Sequence, residues 1–313
     1  MRTVAIACQG GGSHTAFTGG ALQHLLADSD HRVVALSGTS GGAVCALLAW
    51  YGLLNGGATE AGRLLERFWE AAAATTVSGK VTNAWLVGLA RLEGRVSLPT
   101  VSPYAYPDIA GGAFTDLLTE LVDVDRLARL QESPPEDQPL LLVGAADVLT
   151  GDFKAFSSRR REITVNAVLA SAAVPLIFRA VEEQGRYYWD GLFSQNPPVR
   201  ELPDARPQEL WVLRINPRGR TTVPRTVGDI ADRRNELAGN LSLEQELYLI
   251  GKVNEWADRL GDPYRRIEIR ELTLDLGVEL DLASKLDRRP AFIRRLFEAG
   301  REQAAEFLAE LPG

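Results

Sequence analysis

Apolar and polar positions along this chain follow two periods in alternation. Residues 4–8 (VAIAC) are a short apolar run that stops at Gln9 and three glycines, and apolar side chains then recur at helical spacing through residue 26. The order is strand, glycine loop, helix. Residues 33–36 repeat it, ending at a second glycine-bearing turn before an apolar run at 43–54, so the chain opens as β-α-β-α and predicts a parallel sheet covered on both faces. Residues 140–146 form a continuous apolar run suited to a buried strand, and 152–156, after Thr150-Gly151, return beside it as a hairpin. Further strands are expected at 181–183, 187–189, 210–215 and 267–272. Residues 227–260 and 289–311 are charged, apolar-periodic and poor in glycine and proline, which predicts amphipathic helices packing on the sheet.

Between 80 and 112 the periodicity weakens, and Pro99, Pro103 and Pro107 alternate with Tyr104 and Tyr106. Residues 80–113 therefore read as an insertion or lid over the sheet. The expected architecture is a three-layer α/β/α fold with a mainly parallel central sheet. It comprises a single domain over 1–313, a motif-bearing core at 4–198 and a mainly helical C-terminal extension at 226–313.

Composition narrows the function classes. The 313 residues are 45% hydrophobic and 24% charged, an ordinary globular balance. A net charge of -7 excludes a general nucleic-acid binder, which needs a basic face against phosphates, and disfavours tight, nonspecific adhesion to anionic membranes. Basic runs such as Arg159-Arg160-Arg161 and Arg233-Arg234 read as solvated surface. Cys8 and Cys45 lie in apolar segments and read as small hydrophobes, not a disulfide framework. The first residues show no signal-peptide pattern, and the longest apolar run, 43–54, is shorter than the ~20 residues a membrane span needs. The expectation is a cytoplasmic protein without a membrane span.

Candidate chemistry begins at Gly38-Thr39-Ser40-Gly41-Gly42, which sets a serine between glycines directly after a strand and before a helix. A sharp strand-to-helix turn brings chain segments too close for Cβ atoms and lifts the serine hydroxyl to a helix N-terminus, where free N–H groups favour developing negative charge. Gly10-Gly11-Gly12 follows a strand in the same way, and consecutive glycines can turn several N–H groups toward one oxyanion. A dinucleotide fingerprint is the rival reading of that loop, but Thr15 stands where its third glycine belongs and no acidic residue ends the second strand. The histidines, His14, His24 and His31, all precede Ser40, so a triad in the order serine, acid, histidine has no base. Other chain orders exist, which leaves His14 open because it follows the glycine loop, but a carboxylate is the expected base. Asp190, delivered to a turn by Tyr187-Tyr188-Trp189, and Asp147, at the end of 140–146, are both candidates, and spacing alone does not choose between them.

Four motifs taken together resemble the patatin-like phospholipases: Gly10-Gly11-Gly12-Ser13-His14-Thr15-Ala16-Phe17, the Gly38–Gly42 turn, Ala170-Ser171-Ala172-Ala173-Val174-Pro175, and Asp190-Gly191. They occur in the family's order and cover at least residues 4–198. The resemblance implies a serine–aspartate dyad in which Ser40 is acylated and Asp190 takes its proton. It implies an oxyanion hole at Gly10, Gly11 and Gly12, with Gly38, Gly42, Gly191 and His14 supporting the motifs. The family usually carries lysine or arginine, then glycine, where this chain has His14 and Thr15, and glycine or alanine where it has Leu192. At position 14 a permanent charge is thus replaced by a titratable one, or by a side chain that only packs and hydrogen-bonds.

The implied partner is an acyl lipid or another apolar ester, with transient membrane-surface contact as a further expectation. This chemistry requires neither metal nor organic cofactor. An acyltransferase sharing the acyl-enzyme and a silent lipid-binding module are the competing functions. The dyad's weak point is basicity, since a model aspartate at ~3.9 lies ~2.6 units below histidine, a proton-transfer deficit of roughly 3.5 kcal/mol. Tyr187, Tyr188, Trp189 and Phe193 are expected to exclude water and raise Asp190. The aromatic, proline-rich stretch 98–109 is a candidate acyl-chain entrance.

Overall fold

A computed structural model describes residues 1–76, 80, 102–105, 108–132, 138–175, 177–278 and 280–311. Among these, eight strands form one sheet. β1 (Arg2–Cys8), β2 (His31–Thr39), β3 (Leu140–Asp147), β7 (Glu209–Arg214) and β8 (Glu268–Thr273) run parallel in the order β3-β2-β1-β7-β8. β4 (Phe153–Ser157), β5 (Val181–Glu183) and β6 (Arg186–Asp190) complete it with antiparallel pairings around β3.

Alternation along β1 divides the core. Val4, Ile6 and Cys8 face one apolar cluster with α1 (Ala16–Ala27), α2 (Gly41–Ala72) and the C-terminal helix α8 (Pro290–Ala309), while Ala5 and Ala7 face the other. That second face is covered by α6 (Val227–Leu260) through Leu243, Leu247 and Ile250. The fold is the expected helix–sheet–helix arrangement with a mainly parallel sheet. The C-terminal region does more than extend it, since it supplies the edge strand β8 and a helix to each face.

Strand expectations hold to within one or two residues, except that β2 runs three residues past its expected end at 36, up to Thr39. Three short helices go beyond the sequence reading: α3 (Ile109–Thr119), α4 (Val124–Leu130) and α5 (Val165–Ala172). All three begin at side-chain caps that the apolar period does not register, Asp108 accepting from the Gly111 amide, Asp123 from the Arg126 amide and Thr164 from the Ala167 amide. α2 runs on to Ala72, past non-helical Gly56 and Gly57, where the apolar run suggested an end near 54. Most of the proposed lid at 80–113 lies outside the described residues. Its described 3₁₀ turn, Pro103–Ala105, docks on the chain after α5: Arg179 Nε donates to the Pro103 carbonyl at 3.1 Å, and the Ala180 amide to the Tyr104 hydroxyl at 3.1 Å. No helix among the described residues is long and apolar enough to cross a membrane.

Candidate active site

One strand brings the two sequence-predicted residues together. β2 pairs with β3 up to Thr39 opposite Gly144, and β6 enters antiparallel with Asp190 opposite Ala145. Because β4 occupies the other edge of β3 at both positions, β2 and β6 share a single edge end to end. Ser40, next after Thr39, therefore stands beside Asp190 although 150 positions separate them.

Ser40 caps α2 with φ 57° and ψ −130°, a strained conformation for a residue with a Cβ. A network holds it there. Its N–H donates to Ser171 Oγ at 3.0 Å, and Ser171 Oγ donates to the Gly144 carbonyl at 2.6 Å. Thr39 Oγ1 donates to the Gln195 carbonyl at 2.7 Å, tying the turn to the segment after Asp190. Side chains at 38 and 42 do not fit, because a Cβ on Gly38 would strike the Gly42 backbone and one on Gly42 the Cys8 carbonyl. The Gly41 and Gly42 N–H groups, at the open first turn of a helix, make no hydrogen bond among the described residues.

Asp190 is 1% exposed. Its N–H donates to the Ala173 carbonyl at 3.0 Å, and Oδ1 accepts the Leu192 amide at 2.8 Å. Burial pushes the carboxyl up to about 7, against the Leu192 amide and the Ser40 hydroxyl, which pull it down. Oδ2 is buried and closes no bond of full hydrogen-bond geometry, so the Ser40 contact is a loose one at rest; such bonds often tighten only with substrate bound. The aromatic shell differs from the expectation. Tyr188 is buried, but Tyr187 is 42% exposed and Trp189 half-buried, so the water exclusion does not come from the aromatics as a group. The side chain of Phe193 lies outside the described residues.

Asp147, the competing carboxylate, caps a turn. Oδ1 accepts the Leu149 and Thr150 amides, Oδ2 pairs with Arg186 at 3.0 Å, and those donors hold its pKa down. Gly191 packs against the Gly144 carbonyl, 2.7 Å from where a Cβ would stand. Leu192, bulkier than the family's usual residue, points its Cδ1 toward Gly239 of α6, where the missing side chain leaves room.

The glycine loop lies against the turn, since a Cβ on Gly10 would stand 2.8 Å from the Ser40 Cβ. Gly10, expected to donate to an oxyanion, is already engaged: its N–H donates to Asn196 Oδ1 at 2.6 Å. That assignment is corrected. The Gly11 and Gly12 N–H groups have no acceptor among the described residues. Gly12 adopts φ +59° and packs against the Lys285 carbonyl, so a Cβ there is both strained and obstructed.

Four buried amide side chains that the sequence reading did not single out support this loop. Gln9 Oε1 accepts the Ile215 and Asn216 amides at 2.9 and 2.8 Å, and Gln9 Nε2 donates to Asn240 Oδ1 at 2.8 Å. Asn216 Nδ2 donates to the Gly10 carbonyl at 3.0 Å, so Asn196 and Asn216 grip Gly10 from both polar groups. A visible signal existed for Asn240. The inward positions of α6 read Asp232, Glu236, Asn240, then Leu243, Leu247 and Ile250, a core-facing stripe that starts polar where it meets the loop and turns apolar over the sheet.

His14 sits in the 3₁₀ turn Gly12–Thr15, 1% exposed, with Nε2 2.8 Å from Ser284 Oγ in α7 (Leu282–Lys285). Ser284 Oγ already accepts the Asp281 amide and donates to the Asp281 carbonyl, which leaves His14 Nε2 as the donor. Burial, then the nearby Lys285 charge, lower its pKa to about 3. His14 is thus a neutral strut, and the cation near the loop is Lys285, paired with Asp232 at 2.8 Å.

A family model described as patatin-like phospholipase matches residues 6–203, and the chain belongs to that family. Among solved structures, VipD from Legionella pneumophila is similar with a TM-score of 0.46 and 14% identity, over 98% of this chain and 66% of that one. This chain thus spans just under two thirds of the length of VipD. No curated protein matches the sequence.

Proposed function

We propose that this protein is a lipid acyl hydrolase in which Ser40 is the nucleophile and Asp190 the general base. Membership of the patatin-like phospholipase family supports the reaction class. The observation that carries the residue roles is a buried carboxyl, raised to about 7, set on the same strand edge as a serine in a strained strand-to-helix turn. At that value the ~3.5 kcal/mol deficit of an ordinary aspartate against histidine is gone.

In the proposed cycle the Asp190 carboxylate takes the Ser40 proton as Oγ attacks the ester carbonyl. The Gly11 and Gly12 N–H groups receive the oxyanion. Collapse expels the alcohol, which leaves with the proton from Asp190. Water, deprotonated in turn by Asp190, then attacks the acyl-enzyme, releasing the carboxylic acid and restoring the Ser40 hydroxyl. Phospholipids, lysophospholipids and simpler carboxylic esters all present this carbonyl.

Intact-mass measurement after exposure to a fluorophosphonate tests the assignment. A single adduct is expected on wild type, none on Ser40→Ala, and labelling slowed roughly 10²–10⁴-fold in Asp190→Asn. Undiminished labelling of Ser40→Ala would refute the nucleophile. Turnover in the presence of glycerol separates hydrolysis from acyl transfer, with free fatty acid the expected product and a glycerol ester the sign of the transferase.

A further inference from the structure

Of the seventeen large hydrophobic side chains exposed among the described residues, ten lie between positions 223 and 264, on α6 and its flanks. That concentration is unlike the scatter of single apolar residues normal on a surface. Ile230, Leu237, Leu241, Tyr248 and Trp256 recur on one side of the helix, opposite its buried positions. With Leu249 and Leu260 at its border, the exposed apolar face spans roughly 140° of the circumference at ~100° per residue. The helix has 34 residues, so this face runs ~50 Å.

Charge sorts across the same helix. The cations Arg234, Lys252 and Arg259 share the apolar face, and among the described residues Arg234 and Arg259 have no ion-pair partner. Most carboxylates of the helix turn away and are engaged elsewhere, Asp229 in the cap at Thr226. Asp232 and Glu236 bind Arg220, Glu244 binds Arg214, Glu246 accepts the Val199 and Arg200 amides, and Asp258 pairs with Arg266. Glu255 stands at the border of the face, held by Lys252 at 2.9 Å.

We propose that this face of α6 is an interfacial docking surface that lies on an anionic lipid bilayer, with the apolar side chains entering the headgroup region and the three cations meeting lipid phosphates. A second copy of the chain is disfavoured by the same charges. An isologous contact would set these cations against their own copies, with Glu255 the one carboxylate near enough to answer them. A bilayer supplies the missing anions, and local charge decides over a Debye length of ~8 Å whatever the net charge of the whole protein. The proposal rests on the lipid hydrolase reading for its purpose: a hydrolase of water-insoluble esters meets its substrate at such a surface.

The test is co-sedimentation of the full-length protein with vesicles of ether-linked phosphatidylglycerol in ether-linked phosphatidylcholine, which contain no ester to cleave. Wild type is expected to bind these and to bind pure ether-linked phosphatidylcholine at least about tenfold more weakly. Leu237→Glu/Leu241→Glu/Tyr248→Glu should lower binding by about tenfold or more, and Arg234→Gln/Arg259→Gln should remove most of the anionic preference. Both variants should hydrolyse a water-soluble short-chain ester within about twofold of wild type, because these side chains take no part in holding Ser40, Asp190 or the glycine loop. Wild type that fails to bind anionic vesicles, or glutamate variants that bind as well as wild type, would overturn the proposal. So would sedimentation equilibrium showing a wild-type dimer that the glutamate variant abolishes. Absence of hydrolysis in every form would instead overturn the functional reading and leave the vesicle result standing.

Discussion

At the scale of single residues, the site turns on how one carboxyl is buried. Asp190 is held near 7 chiefly by exclusion from water, and a general base works only when deprotonated. The rate should therefore rise with pH through an apparent pKa near 7, and an acidic limb at or below ~4 in a pH–rate profile would remove the burial argument. Stability runs the other way. The folded carboxyl holds its proton more tightly than the unfolded one at ~3.9, so its contribution is full below about 4 and is lost as pH rises through about 7. The raw shift corresponds to a loss on the order of 4 kcal/mol. Asp190→Asn removes the ionisation, so its Tm should exceed that of wild type by more at pH 8 than at pH 4 when both are followed by thermal melts. An equal difference at the two pH values would mean that Asp190 ionises without cost. The aromatic neighbours were legible in sequence, but their effect was not: alternation along β6 sends Tyr187 outward, and burial follows the strand's position in the sheet.

At the scale of elements, the motif residues were readable and the parts that hold them were not. A nucleophile between glycines, a glycine loop and an aspartate-glycine turn are local patterns with local steric causes. Gln9, Asn196, Asn216 and Asn240 are single polar residues scattered over more than 200 positions, and they acquire meaning only when β1, β7 and α6 come together. Asn240→Leu would leave Gln9 Nε2 short of its better acceptor and free the loop on the α6 side. Its acylation rate is expected to fall about 10–100-fold with KM within about twofold, at a stability cost of about 1–3 kcal/mol. Leu243→Ala on the same helix is the control, costing ~2–5 kcal/mol of core packing with little change in the acylation rate. If both variants lose activity in proportion to lost stability, the amide chain is scaffolding without a role in aiming the loop.

At the scale of the whole molecule, the family match ends at residue 203, yet contacts that complete the glycine loop come from Asn216, Asn240, Ser284 and Lys285. The apolar periodicity of α6 and α8 announced two surface helices, but not that one would cover the second face of the sheet and that α7 would brace His14. Long-range placement of this kind is set by which buried faces must be covered, and a linear pattern does not state it. The shared edge of β3 has a further consequence. Ser40 and Asp190 are metered by two adjacent residues, Gly144 and Ala145, so their separation is a property of one peptide step in a strand and owes nothing to the length of chain between them. The exposed β3–β4 turn at Thr150-Gly151-Asp152 lies within that intervening chain. A flexible glycine-serine insert placed there lengthens the path from Ser40 to Asp190 while the strand still sets the gap, and under the proposed function ester hydrolysis is expected to stay within about twofold of the parent. The sheet acts as a ruler, and the loops are free to drift in length around a Ser40–Asp190 distance they do not measure.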